Sequence, residues 1–169
     1  MPDQTQIRRL EVADAPDYRS IRLRALRDNP EAFLSSFEEE SLRPMADTEK
    51  RLASVFEKLW GAFVNRELVG MVGLSREARL KNRHKASLVS MFVLPKYTGK
   101  GLGADLVDTV IQDASSCGIE LMVLTVTDTN LAAISLYQKA GFTAFGTEPD
   151  ALRINGAGFG KTHMYLSIK

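Results

Sequence analysis

The chain has 169 residues, 44% hydrophobic and 25% charged, the ordinary balance of a globular protein long enough for one well-buried core, so residues 1–169 are expected to form a single domain. Lys and Arg number 22 against 21 for Asp and Glu, a net charge of +1, which leaves no global field to draw in nucleic acid or an anionic membrane; neither is expected as a partner. No run approaches the roughly 20 apolar residues of a membrane span, no secretory signal is visible, and a lone cysteine, Cys117, excludes an internal disulfide, so a cytoplasmic setting is the expectation.

Residues 7–12 read as a first strand. Asp14 is placed to cap a helix with Pro16 in its first turn, and Asn29-Pro30 stops that helix near Asp28. Arg19, Arg22, Arg24 and Arg27 are bunched there, and a helix spreads them over a solvated face. Residues 30–41 fit a short helix, a loop, or both. Residues 48–59 look helical, capped by Asp47 or Thr48. Two strands follow, 60–64 and 68–74, joined by the polar tip Asn65-Arg66-Glu67, and then a basic solvated loop at 79–85.

Next comes an apolar strand at 87–93, a proline stop at Pro95, and a loop with Gly99, Gly101 and Gly103 at alternate positions. A helix at 101–116 follows directly, with Leu102, Leu106, Val107, Val110, Ile111 and Ala114 on one face. A strand, a glycine loop and a helix N-terminus make an anion cradle. Backbone N–H groups converge there and the helix dipole adds about half a positive charge. Residues 121–126 form a buried strand, and 131–140 a short helix with Asn130 at its start and Gly141 at its end. A strand at 142–146, a mobile loop at 150–160 and a last strand at 163–168 complete the pattern.

Three kinds of phosphate-binding loop compete for the glycine signal. The P-loop pattern fails, since Gly99-Lys100 is followed by Gly101 rather than Ser or Thr, and position 94 is Leu. Gly99, Gly101 and Ala104 satisfy the dinucleotide pattern GxGxx[GA], with Asp128 in the place of a ribose-binding acid; this would make a nicotinamide-dependent oxidoreductase. Pro95 and Lys96 interrupt the direct strand-to-loop passage that pattern needs, and too few residues follow for further parallel strands.

The third kind comes with a second motif. Tyr97-Thr-Gly-Lys-Gly-Leu-Gly103 together with Asn130-Leu-Ala-Ala-Ile-Ser-Leu-Tyr137-Gln-Lys-Ala-Gly141-Phe142 resembles the GNAT superfamily of acyl-CoA-dependent N-acetyltransferases. The motifs and the strand between them cover about a third of the chain. One position departs from the family pattern: Thr98 stands where Gln or Arg is usual, with Lys96 and Lys100 nearby as compensating charge.

The resemblance implies an α/β fold, a mixed, strongly twisted sheet of about six to seven strands flanked by about four helices. The parallel strands at 87–93 and 121–126 would splay to admit an acyl-pantetheine arm. It implies acetyl-CoA as co-substrate, without a metal, and transfer to a primary amine by direct attack in a ternary complex. Thr98, Gly99, Lys100, Gly101, Leu102, Gly103 and Ala104 would cradle the pyrophosphate. Met91, Phe92 and Val93 would pair with the pantetheine amides and offer an N–H to the oxyanion. Asn130 would contact the co-substrate, and Tyr137 would protonate the leaving thiolate, because a phenol of pKa about 10 holds its proton at neutral pH. The other reading is a non-catalytic acyl-CoA sensor.

The acceptor is expected to be a small-molecule or peptide amine, with Phe33, Phe37 and Glu38 beside it. No base stands out: Glu38, Glu39, Glu40, Glu77, Asp128 and Glu148 each read first as solvated carboxylates, and His84 and His163 as isolated side chains. Cys117 reads as a small buried residue, and Trp60 as core. An exposed strand edge or helix face leaves room for a homodimer.

Overall fold

Residues 2–168 are described by a computed structural model. Seven strands form one sheet: β1 (Thr5–Arg9), β2 (Glu57–Val64), β3 (Glu67–Arg76), β4 (Lys85–Val93), β5 (Leu121–Thr127), β6 (Thr143–Ile154) and β7 (Ala157–Ser167), in the order β1-β2-β3-β4-β5-β7-β6. Every neighbouring pair is antiparallel except β4 and β5, the parallel pair bridged by a helix. Five α-helices accompany the sheet: α1 (Ala15–Asp28), α2 (Phe37–Ser41), α3 (Met45–Leu52), α4 (Leu102–Ser116) and α5 (Leu131–Lys139).

The core sits at the middle of the sheet. β2 and β3 are buried along most of their length, which needs cover on both faces and explains their unbroken apolar sequence. Leu102, Leu106, Val107, Val110 and Ala114 of α4 pack on one face, while Tyr18, Ile21 and Ala25 of α1 help cover the other. The β2–β3 turn carries Asn65 and Arg66 at φ of 49° and 72°, the two positive values of a type I′ hairpin.

Three expectations need correction. The first strand, expected at 7–12, runs from Thr5 to Arg9, and Val12 already opens a 3-10 turn leading into α1. The helix expected at 48–59 begins at Met45 and ends at Leu52, with neither Asp47 nor Thr48 as its cap; residues 57–59 already belong to β2, where Arg51 reaches back to Glu57 at 2.9 Å. The mobile loop expected at 150–160 is a long hairpin. β6 runs on to Ile154, Asn155-Gly156 makes a tight turn at φ of 50° and 82°, and β7 returns from Ala157.

Candidate functional site

β4 and β5 are paired only at their starts. Lys85, Ala86 and Ser87 oppose Leu121, Met122 and Val123, after which β4 runs to Val93 and β5 to Thr127 without bonding each other. The sheet therefore opens between them, leaving main-chain donors and acceptors of β4 on the inner edge of a cleft. β4 also carries a bulge on its β3 side. Gly73 pairs with Val89 and Met71 with Phe92, so one residue of β3 faces two of β4, and the bulged Ser90 adopts φ of 58°.

On one side of the cleft lies a groove of about 660 Å³. Met91, Phe92 and Val93 form its β4 wall, and Thr98, Gly99, Gly101, Gly103 and Ala104 its loop wall. Gly101 is the N-cap of α4 at φ 87° and Gly99 has φ 75°, values that L side chains rarely adopt; a Cβ on either would project into open space. The first bond into α4 runs from Asp105 N–H to Gly101 C=O, so the N–H groups of 102–104 precede it and are left for another acceptor. Gly103 allows a close approach: a Cβ there would lie 3.4 Å from both the Met91 and Leu136 side chains.

Not every residue of the loop faces the groove. Leu102 turns into the core at 6% exposure, and the Lys100 and Lys96 ammoniums sit 5.5 and 5.4 Å from the Tyr97 ring centre. Thr98 donates its hydroxyl to Pro95 C=O at 2.8 Å, closing the turn before the loop rather than reaching outward as a Gln or Arg would. Asn130 caps α5, its side-chain oxygen accepting from Ala133 N–H at 3.2 Å, and also lines the groove.

A second cavity of about 530 Å³ meets the first, and the two share Ala32, Met91, Asn130 and Ala133 as walls. Tyr137 reaches it from α5 and Phe33 from the segment before α2. Tyr137 is 6% exposed and stacks edge-on against Phe142; burial pushes its phenol pKa well above the usual 10. Phe37 and Glu38, expected beside Phe33, line neither cavity.

The floor of this cavity holds a polar cluster with no counterpart among the sequence expectations. Arg22 was expected on a solvated face of α1, yet it is buried, because Glu40 of α2 grips its Nε and Nη2 at 2.7 Å each. Arg51 of α3 is held by Glu57, and both arginines also donate to the Ser90 hydroxyl. Beside them the Tyr18 hydroxyl is buried without a hydrogen-bond partner among the described residues. Lys161 of β7 completes the wall.

The carboxylates separate clearly. Glu40 is committed to Arg22, Glu39 accepts from Ser36 in the α2 capping box, and Glu77 accepts from Asn82. Among the described acids only Glu148 lines the second cavity, with its side chain 58% exposed and 3.5 Å from His163. Cys117 is half-buried rather than buried, its sulfur 3.2 Å from the Lys58 ammonium. Among the described residues no three His, Cys, Asp or Glu gather as a metal site, and no helix is long and apolar enough to cross a membrane.

Comparison with known proteins bears on this architecture directly. The sequence profile of the Acetyltransferase (GNAT) family matches residues 10–142. An L-amino acid N-acyltransferase of Escherichia coli is 35% identical over 47% of this chain and 46% of its own length, so the chain spans about half the length of the first curated relatives it matches. The N-alpha-acetyltransferase RimI of Mycobacterium tuberculosis is 32% identical over 68% of this chain and 70% of its own. A GNAT acetyltransferase of Streptococcus pneumoniae superposes with a TM-score of 0.81 at 26% identity, covering 98% of this chain and 100% of that one. A Salmonella typhimurium protein solved with acetyl-CoA shares the fold, with a TM-score of 0.82 at 23% identity over 98% and 95% of the two chains. A splayed parallel pair, a glycine cradle at the N-terminus of α4 and a profile match over most of the sequence agree: the chain belongs to the GNAT acetyltransferase family.

Proposed function

We propose that this chain acts as one catalytic domain, an acyl-CoA-dependent N-acetyltransferase that moves an acetyl group from acetyl-CoA to a primary amine by direct attack in a ternary complex. The observation that carries the reading is the junction of the two cavities at Met91, Asn130 and Ala133. A thioester in one groove and an amine in the other meet there without a covalent relay through the protein. That amino-acid and N-terminal acetyltransferases are among the relatives supports an amine as acceptor.

The residues present fit the co-substrate. Gly99, Gly101, Gly103 and Ala104 line the groove, the N–H groups of 102–104 precede the first bond of α4, and glycine at the positive-φ positions 99 and 101 leaves no side chain in the position of an anion. The unpaired β4 edge at Met91, Phe92 and Val93 would bond the pantetheine amides as an added strand does. An N–H of the same segment would donate to oxygen where charge develops. Acetyl-CoA supplies an activated acyl group and a thiolate leaving group. Burial pushes the Tyr137 phenol pKa above its usual 10, which favours the protonated form that would donate to the leaving thiolate. One cysteine and a near-neutral charge suit a reducing cytoplasm.

The test is a thermal shift with CoA, acetyl-CoA, longer acyl-CoAs and NAD, followed by thiol release with a panel of amines. A ligand at 100 times its dissociation constant stabilises the folded state by about 2.7 kcal/mol. A shift with acetyl-CoA and none with NAD, together with amine-dependent thiol release, is the expected result. No shift with any CoA sinks the reading, and a shift without turnover of any amine leaves a sensor instead.

A further inference from the structure

We propose that the second cavity takes an amine that also bears a carboxylate, and that Lys161 is the cation that pairs with this carboxylate; the proposal deepens the acetyltransferase reading and rests on it. Four charged side chains line the cavity: Arg22, Arg51, Lys161 and Glu148. They are not equivalent. Arg22 and Arg51 are each neutralised by a dedicated carboxylate, Glu40 and Glu57, and their remaining contacts go to Ser90. Glu148 turns toward His163. Lys161 alone has neither a hydrogen-bond nor an ion-pair partner for its ammonium among the described residues.

Lys161 stands between Thr127 of β5 and Glu148 of β6 in register, and is half-buried on the cavity wall. Withdrawing an ammonium from water without an anion is unfavourable, and burial accordingly lowers its pKa. A ligand carboxylate in the cavity restores the lost solvation as a charge-assisted hydrogen bond. The surroundings set the rest of the ligand. Thr127 is fixed by donating its hydroxyl to Glu31 C=O at 2.5 Å, which holds the Pro30–Ala32 turn against β5. Ala32, Phe33 and Leu34 then present an apolar wall to whatever the acceptor carries beyond its amine and carboxylate. The acceptor class that matches is a compact amino acid rather than a polyamine or an arylamine, either of which leaves Lys161 unpaired.

The experiment uses glycine, L-alanine, L-leucine, L-phenylalanine and L-methionine, each as free acid, carboxamide and decarboxylated amine. Thiol release from acetyl-CoA gives kcat and KM, and calorimetry on the CoA-bound protein gives binding without turnover. For at least one of the five, the free acid should exceed its carboxamide at least 10-fold in kcat/KM, mostly through KM. In Lys161→Met the acid-to-carboxamide ratio should fall at least 10-fold, and Lys161→Arg should retain most of it. Equal use of acid and carboxamide by the unaltered protein, or an acid preference that survives in Lys161→Met, overturns the assignment. If nothing is turned over, binding of a free acid that is lost in Lys161→Met still supports the carboxylate site while the transferase reading fails; no difference in binding between the two proteins overturns the site as well.

Discussion

Arg22 of α1 and Arg51 of α3 meet at one oxygen: both donate to the Ser90 hydroxyl, at 3.2 and 3.0 Å. Two guanidiniums tolerate this closeness because each has its own carboxylate, Glu40 for Arg22 and Glu57 for Arg51. Ser90 is available to both because the β4 bulge turns it out of the ladder at φ 58°. The helices α1 and α3 are thereby tied to the strand that borders the reaction cleft.

Replacing Ser90 tests that tie. Ser90→Ala removes the shared acceptor and leaves two partly buried N–H donors unsatisfied, at a cost of about 1–3 kcal/mol. Ser90→Gly removes the same hydroxyl but relieves the left-handed backbone, which offsets about 1 kcal/mol. Urea unfolding should rank the proteins as unaltered, then Gly, then Ala. Equal stability of all three would mean that the shared oxygen contributes nothing.

Glu40 makes stability depend on acid. Burial by itself would raise its pKa, but the hydrogen bonds and charge of Arg22 outweigh burial and hold it below 4.5. The unfolded chain thus binds this proton at a higher pH than the folded one. The contribution is complete above the unfolded pKa and is lost as pH falls through the folded value. The urea midpoint should stay level from pH 8 to 6 on this account and drop below about pH 4.5. Asp14, held low by Arg8, works in the same direction, so Glu40→Gln should flatten the acid limb only in part. That substitution should also cost about 2 kcal/mol at neutral pH by leaving Arg22 half-paired. An acid limb identical in Glu40→Gln and the unaltered protein would remove Glu40 from the account.

The glycine cradle separates backbone strain from blocked binding. Gly101→Ala places a Cβ at φ 87° where nothing lies within 4 Å, so it should cost about 1–2 kcal/mol of stability while acetyl-CoA still shifts the melting temperature. Gly101→Glu adds the same strain plus a long acidic side chain in the anion site, and the shift should vanish. If Gly101→Glu binds acetyl-CoA as tightly as Gly101→Ala by calorimetry, the pyrophosphate lies elsewhere.

What could be read from the sequence was local. The 87–103 stretch and the 130–142 stretch announce strand, loop and helix within a few residues of one another; Asn130 and Gly141 occupy the helix-end places expected of them, and Gly101, expected as the first residue of its helix, caps it instead. Phe33 and Tyr137 of the second cavity were legible but its charged lining was not, because Arg22, Arg51, Ser90 and Lys161 come from four elements that only the tertiary fold brings to one cavity. In isolation, Arg22 looks like one more arginine on a solvated helix. The hairpin at 143–167 was misread for a different reason. Gly156, Gly158 and Gly160 look like a flexible run, but only Gly156 serves a turn. At Gly160 the Asp128 carboxylate lies where a Cβ would go, so that glycine marks close approach inside a strand. The dipeptide Asn155-Gly156 was the usable signal.

Tyr137 carries the most discriminating prediction. Its ring packs edge-on to Phe142 with centroids 6.0 Å apart, and its burial favours the neutral phenol, so alkaline pH does not ionise it before the rest of the protein is affected. Tyr137→Phe preserves that packing and deletes only the hydroxyl. If the hydroxyl protonates the leaving thiolate, kcat should fall about 100-fold while acetyl-CoA binding by calorimetry stays within a factor of two or so. The unaltered protein should show no loss of kcat from this group up to about pH 10, because the raised pKa keeps the acid in its active form there. Unchanged kcat in Tyr137→Phe would reduce the residue to packing. A loss of acetyl-CoA affinity with kcat unchanged would instead place the hydroxyl against the co-substrate in the ground state, since a contact made equally in the ground and transition states changes binding and not kcat.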